Sequence, residues 1–374
     1  MKKGSKILAA AGLSLVGASC AAMGAGAFFY RLCLTQKVDK SKVFAAPHNR
    51  PTDVPASTVG QDREWLGAQP TEERMIYSEE GLCLRGILLK NPSKGPWVIL
   101  CHGYTGHAEE MADFARQFYQ RGYQVLMPDA RGHGKSEGEY IGMGWPERRD
   151  IVRWAEYLVW KERAENIALL GISMGGATVM MASGEELPGQ VRAIVEDCGY
   201  TSAWDEFHYQ LKMLYHLPAF PLLYVTDLLA RVKAGYGLKA ASAIKQVAKC
   251  RIPMLFIHGE KDALVPYWML KPLYEAASCP KECFVVENAG HGEARQAQPE
   301  EYWKRVFGFL ERNMLTSGLS YSKIYNCDNV LKRRSKAPVK RLKDKNKEKR
   351  SVESLRRSRT SVDHVGSGTN KAIK

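Results

Sequence analysis

Gly171-Ile172-Ser173-Met174-Gly175 follows the apolar run Ile167 to Leu170 and precedes the small residues Gly176-Ala177-Thr178. An apolar strand, a tight turn and then a helix can hold a serine hydroxyl exposed at the edge of a sheet. Glycines on either side let the backbone turn without side-chain clashes. Gly171 and Gly175 are therefore read as loop-shaping and Ser173 as the reactive residue. Glycine and serine are common enough that the five residues alone also fit a bland turn, so their meaning rests on the rest of the chain.

Two later segments supply partners. Ile252-Pro253-Met254-Leu255-Phe256-Ile257-His258-Gly259 reads as a buried strand running into Glu260-Lys261-Asp262. Phe284-Val285-Val286 reads as another strand, leading to Asn288-Ala289-Gly290-His291-Gly292. Asp262 and His291 then lie beyond the C-terminal ends of strands, where open α/β sheets carry their sites. A serine hydroxyl attacks a carbonyl at neutral pH only if a base accepts its proton. His291 can be that base, and a carboxylate at Asp262 would fix its tautomer and stabilise the imidazolium. An aspartate in a loop is usually a solvated turn residue and a lone histidine usually structural; all three together, at strand ends, make a catalytic constellation. The oxyanion formed on attack needs two N–H donors. One is the amide of Met174, after the serine. The other is the amide of Tyr104 in His102-Gly103-Tyr104-Thr105-Gly106, the loop after the strand Val98 to Cys101. Gly103 lets the backbone approach the carbonyl, and His102 is read as loop-shaping rather than as a second base.

With Pro128-Asp129-Ala130-Arg131-Gly132-His133-Gly134-Lys135-Ser136, and with Val265-Pro266 after Asp262, these motifs resemble those of serine hydrolases of the α/β-hydrolase fold. The chain is most similar to the branch of monoglyceride-lipase-like, serine-aminopeptidase-like and membrane-attached acyl hydrolases. The resemblance spans roughly residues 66–315. It implies an α/β fold with a mostly parallel sheet, helices on both faces and a small helical cap. It also implies Ser173, Asp262 and His291 as a catalytic triad, Tyr104 and Met174 as oxyanion donors, and cleavage of a carboxylic ester, thioester or amide through an acyl-enzyme. The fold does not choose the substrate. An aminopeptidase, with Asp205 and Glu206 as the carboxylates for a substrate ammonium, and an acyltransferase using the same triad remain alternatives.

The order of elements agrees. Arg74–Ser78 and Leu82–Lys90 read as a hairpin, after which strands and helices alternate. Helices are expected over Glu109–Arg121, Pro146–Arg163 and Tyr302–Leu310, each with an apolar face. The hydrolase core is thus assigned to 66–200 and 248–315. Residues 201–247 are too long for a simple loop. They are rich in aromatic and aliphatic side chains, broken by Pro218 and Pro221, and read as a cap over an apolar acyl substrate.

The ends carry different signals. Lys2, Lys3 and Lys6 lie in a basic region, 1–6, ahead of the uncharged stretch 7–30. At about 1.5 Å per helical residue that stretch is long enough to cross a bilayer. It predicts a single-pass membrane anchor, with a cleaved or lipid-modified signal as rival, followed by a linker over 31–65. Ser14, Ala18, Ala22 and Gly26 recur every four residues and could form a small-residue dimer face. The signal-like layout puts the catalytic domain outside the cytoplasm. The net charge of +14 is concentrated at the other end. Residues 332–374 hold 16 Lys/Arg against four acids, leaving +2 for the rest. The tail 316–374 therefore reads as a disordered basic arm, a partner for anionic lipid or an envelope polyanion, with nucleic acid not expected. Nine cysteines in no framework spacing suggest neither disulfides nor a metal centre. No phosphate-cradling or dinucleotide motif is present, so neither cofactor nor metal is expected.

Overall fold

The computed structural model of the chain describes residues 20–40 and 56–314. Its centre is an eight-stranded sheet. The interior strands β3 (Trp97–Cys101), β4 (Gln124–Pro128), β5 (Ile167–Ile172), β6 (Val191–Asp197) and β7 (Met254–Gly259) are almost wholly buried, as a sheet covered on both faces requires. The preceding β1 (Thr71–Tyr77) and β2 (Cys83–Leu89) form the expected hairpin, and β8 (Lys281–Val286) ends the far side. The spatial order is β1-β2-β4-β3-β5-β6-β7-β8. β2 runs antiparallel to both its neighbours, and every pairing from β4 onward is parallel. At the free edge β1 is half exposed and carries Glu72, Glu73 and Arg74.

Among the described residues, helix α1 covers 20–34 and is followed by α2 (Ala56–Gly67), α3 (Ala112–Gln120), α4 (Glu147–Lys161) and α5 (Met174–Ala182). After β6 come α6 (Ala203–Tyr215), α7 (Leu222–Ala234) and α8 (Ala243–Val247), and then α9 (Leu270–Ala276), α10 (Ala294–Ala297) and α11 (Pro299–Met314). Because strand side chains alternate, Val98, Leu100, Ala168, Leu170 and Leu255 turn to one face, where they meet Phe114 and Phe118 of α3 and Phe307 and Leu310 of α11. Phe118 and Phe307 are tilted rings 4.9 Å apart, and Trp303 stacks on Phe307 at 5.5 Å. The opposite face is covered by α4, with Trp154 and Leu158 buried, and by α5, α8 and α9. Each large side chain buried this way contributes on the order of 2 kcal/mol.

Between β6 and β7 the alternation gives way to three helices, of which α6 and α7 come first. The Ser202 hydroxyl caps α6 by accepting from the Asp205 N–H at 3.0 Å, and His216 ends it in the left-handed region at φ 54°. Pro218 and Pro221 occupy the break, and α7 starts directly after the second.

The N-terminal expectation is overturned. No helix of the described residues is long and apolar enough to cross a membrane, so the single-pass anchor and the extracytoplasmic placement built on it do not hold. The apolar residues of α1 have another use. Phe29, Tyr30, Leu32, Cys33 and Leu34 are buried against the body of the protein. Gly26, read as part of a dimer face, lies so close to Val225 of α7 that a side chain there would collide, and its carbonyl accepts from the Thr226 hydroxyl at 3.3 Å. Uncharged sequence alone does not separate a lipid-facing helix from one that packs on its own chain. The span 31–65, read as linker, is partly helical at both ends. Residues 1–19 and the basic tail lie outside the described residues, and with them the front of the uncharged stretch and the polyanion reading of the tail.

Candidate active site

At the end of β5 the chain enters Ser173 with φ 57° and ψ −116°, then begins α5 at Met174. A non-glycine residue held there costs about 1–3 kcal/mol and persists only where surrounding bonds fix it. The Ser173 N–H donates to the Asp197 carbonyl at 2.8 Å, and the Ala177 N–H donates to the Ser173 carbonyl at 2.9 Å. The strain therefore sits on the serine and not on the flanking glycines. Gly171 and Gly175 are required for a different reason. A side chain on Gly171 would strike the Gly175 carbonyl, and one on Gly175 would strike the Cys101 carbonyl. They let strand, helix and neighbouring strand close on one another.

The Ser173 hydroxyl donates to His291 Nε2 at 2.8 Å, and His291 Nδ1–H donates to Asp262 Oδ2 at 2.8 Å. Asp262 lies three residues past β7, and its other oxygen accepts the N–H groups of Leu264 (3.0 Å) and Val265 (2.9 Å). Burial opposes ionisation of this carboxyl, but His291 and His258 beside it hold its pKa well below the usual carboxylate range. Burial likewise opposes protonation of His291, and the Asp262 carboxylate overcomes it, leaving the imidazole well above its ordinary 6.5.

The loop after β3 lies beside this chain. Gly103 is so near that an added Cβ would sit 3.6 Å from the Ser173 Cβ, and Tyr104 lines the same cavity as Ser173. Met174 is buried in the first turn of α5, where the N–H has no helical acceptor behind it. His102 is buried between two backbones. Its Nδ1 donates to the Gly103 carbonyl at 2.8 Å and its Nε2 accepts from the Ala130 N–H at 3.0 Å, so it ties its loop to the 129–136 loop. Burial keeps it neutral by lowering its pKa. Within the 129–136 loop, Asp129 accepts from the Ala108 and Lys135 amides and from Arg85, while Arg131 reaches away to grip both oxygens of Asp150.

The hydroxyl opens on a cavity of about 290 Å³ walled mainly by apolar side chains from the sheet ends, α1 and α6. Against known proteins, residues 93–214 match the family described as serine aminopeptidase, S33. The monoacylglycerol lipase of Mycolicibacterium smegmatis is 30% identical over 204 residues, covering 45% of this chain and 71% of that protein. This chain belongs to the α/β-hydrolase family. It is a serine hydrolase. An uncharacterised protein of Bacillus subtilis, YqkD, is 29% identical over 240 residues, 63% of this hydrolase and 78% of the relative. An esterase of Pyrococcus furiosus superposes with a TM-score of 0.56 at 26% identity, covering 71% of this hydrolase and 98% of that chain.

The hydrolase also brings residues to the site that sequence reading did not assign to it. His258, fully buried in β7, places Nε2 2.9 Å from the Val265 carbonyl and 3.3 Å from Asp262 Oδ2. The signal for it was an ionisable residue inside an otherwise apolar strand. Cys198 has its Sγ within 4.8 Å of ligating atoms of Asp262 and His291. The three make a metal-like donor set, yet both His291 nitrogens are already engaged, and burial pushes the Cys198 thiol up to about 12. Nothing in the sequence pointed to Phe29, Leu32 and Cys33, which line the cavity from the end of the stretch read as membrane-spanning and the start of the one read as linker.

Proposed function

We propose that this hydrolase cleaves a carboxylic ester of an apolar acyl group, with Ser173 as nucleophile, His291 as general base and Asp262 as the group that orients it. The observation that carries the reading is the unbroken hydrogen-bond chain from Ser173 through His291 to Asp262, both links 2.8 Å, at the mouth of an apolar cavity. As the Ser173 oxygen attacks, His291 takes its proton and becomes an imidazolium next to the Asp262 carboxylate. The amides of Tyr104 and Met174 receive the oxyanion. His291 returns the proton to the departing alcohol, leaving an acyl-enzyme on Ser173. Water, activated by the same histidine, releases the acid. Each step uses groups of this chain, the substrate and one water.

An aminopeptidase needs negative charge beside the site to hold an ammonium group. Asp205 is not part of the cavity wall and accepts from the Thr201 and Ser202 hydroxyls, both at 2.7 Å. Burial pushes the Glu206 carboxyl up to about 8, so it is protonated at neutral pH. Both facts favour the ester. Transfer to an alcohol in place of water uses the same residues, and product analysis with added acceptors separates the two.

The test is labelling by a fluorophosphonate and turnover of p-nitrophenyl esters, wild type beside Ser173→Ala. Labelling should vanish in the variant and kcat should fall by about 10⁴-fold or more. A variant that still labels and turns over removes Ser173 from the reaction. Octanoyl esters should exceed acetyl esters in kcat/KM, and a flat or reversed series would rule out the apolar acyl group.

A further inference from the structure

Helix α1 is held at several points around the cavity. Its last carbonyls, which no helix can satisfy internally, are taken by the body of the protein. The Tyr104 hydroxyl donates to the Cys33 carbonyl at 2.6 Å and the Ile141 N–H donates to the Leu34 carbonyl at 2.7 Å. Just beyond, the Gln36 N–H donates to the Glu139 carbonyl at 3.1 Å. Near its midpoint Gly26 nests on α7, and about one turn further on the Phe29 ring meets Phe207 of α6 edge to face at 6.0 Å. The helix thus spans from the loop beside Ser173 to the helices between β6 and β7, and the side chains of Phe29 and Leu32 form part of the cavity wall.

We propose that α1 is the acyl-chain wall of this site, with Phe29 and Leu32 setting the longest acyl group that Ser173 can receive. The inference rests on the ester-hydrolase reading above. A pocket discriminates a single methylene by roughly 10-fold or more when the wall is rigid, and α1 is anchored on both sides of the cavity. Neither residue takes part in the chemistry, so altering them should change which chain is preferred and leave the proton transfers intact.

The experiment uses the full chain as wild type, Phe29→Ala and Phe29→Trp, with p-nitrophenyl esters from acetyl to tetradecanoyl and fluorophosphonate labelling of each protein. In Phe29→Ala the ratio of kcat/KM for the tetradecanoyl over the butanoyl ester should rise by about tenfold or more. In Phe29→Trp it should fall. A loosened fold would lower all esters together in both variants, so opposite shifts are specific to the wall. Unchanged or uniformly reduced profiles, in proteins that label normally, overturn the wall and leave the hydrolase reading standing. A wild type that neither labels nor turns over any ester removes the hydrolase reading. The wall is then judged by thermal shift with saturated fatty acids from hexanoate to tetradecanoate, for which the same chain-length dependence in all three proteins overturns it.

Discussion

Ser173 is held at a backbone geometry that its side chain resists, and the restraint comes from bonds to Asp197 and Ala177 on either side of it. In the proposed reaction the hydroxyl is therefore aimed before any substrate arrives, which removes an ordering cost from the attack. As the proposed base His291 acts only when neutral, and the Asp262 carboxylate raises its pKa above 6.5. Activity should accordingly rise with pH through a midpoint above that value. Asp262→Asn removes the charge that holds the imidazolium, so the midpoint should move to lower pH while kcat falls by about 10⁴-fold. A pH series of kcat/KM on both proteins checks the two effects, and a variant with an unshifted midpoint would free Asp262 from the role. At this scale the sequence was most legible, because Ser173, Asp262 and His291 follow strands whose apolar runs are plain. His258 was not, since an imidazole in a buried strand could serve packing as well as the carboxylate it meets.

Elements meet at the turn around Ser173 more closely than side chains allow. An added methyl on Gly175 would enter the carbonyl of Cys101, and backbone cannot swing aside as a flexible side chain can. Gly175→Ala should lower the unfolding free energy by about 3 kcal/mol, read by urea titration. An unaltered midpoint would mean that β3 and α5 can separate at no cost. The hairpin, the alternating elements and the cluster of helices after β6 were all readable from period and proline placement. Helix α1 was misread for a physical reason. A stretch without charge satisfies lipid and a protein groove equally, and Gly26 and Phe29 acquire meaning only from Val225 and Phe207, some two hundred positions away. Such partners leave no mark on local pattern.

The whole molecule stores several buried ionisable groups in neutral form. Burial raises Glu147 to about 7 and Glu206 to about 8, from an ordinary 4.5. Between the ordinary and the raised value the folded protein keeps a proton that the unfolded chain has released, so stability declines as pH climbs through that window. His291, also raised, adds to the decline above 6.5. His133 acts on the acid side, because burial lowers it to about 3 and unfolding below 6.5 lets it take up a proton. The melting temperature should therefore fall between pH 6.5 and about 8, each group contributing at most about 1.4 kcal/mol per pH unit. Glu206→Gln should flatten that slope in a calorimetric series, and an identical slope would show that its carboxyl titrates alike in both states. A last consequence follows from β1, the strand at the edge of the sheet, which carries Glu72, Glu73 and Arg74. Another strand could dock there only by stripping water from those charges, so the rim discourages neighbouring molecules from zipping together and leaves the sheet a finished object rather than a seed for growth.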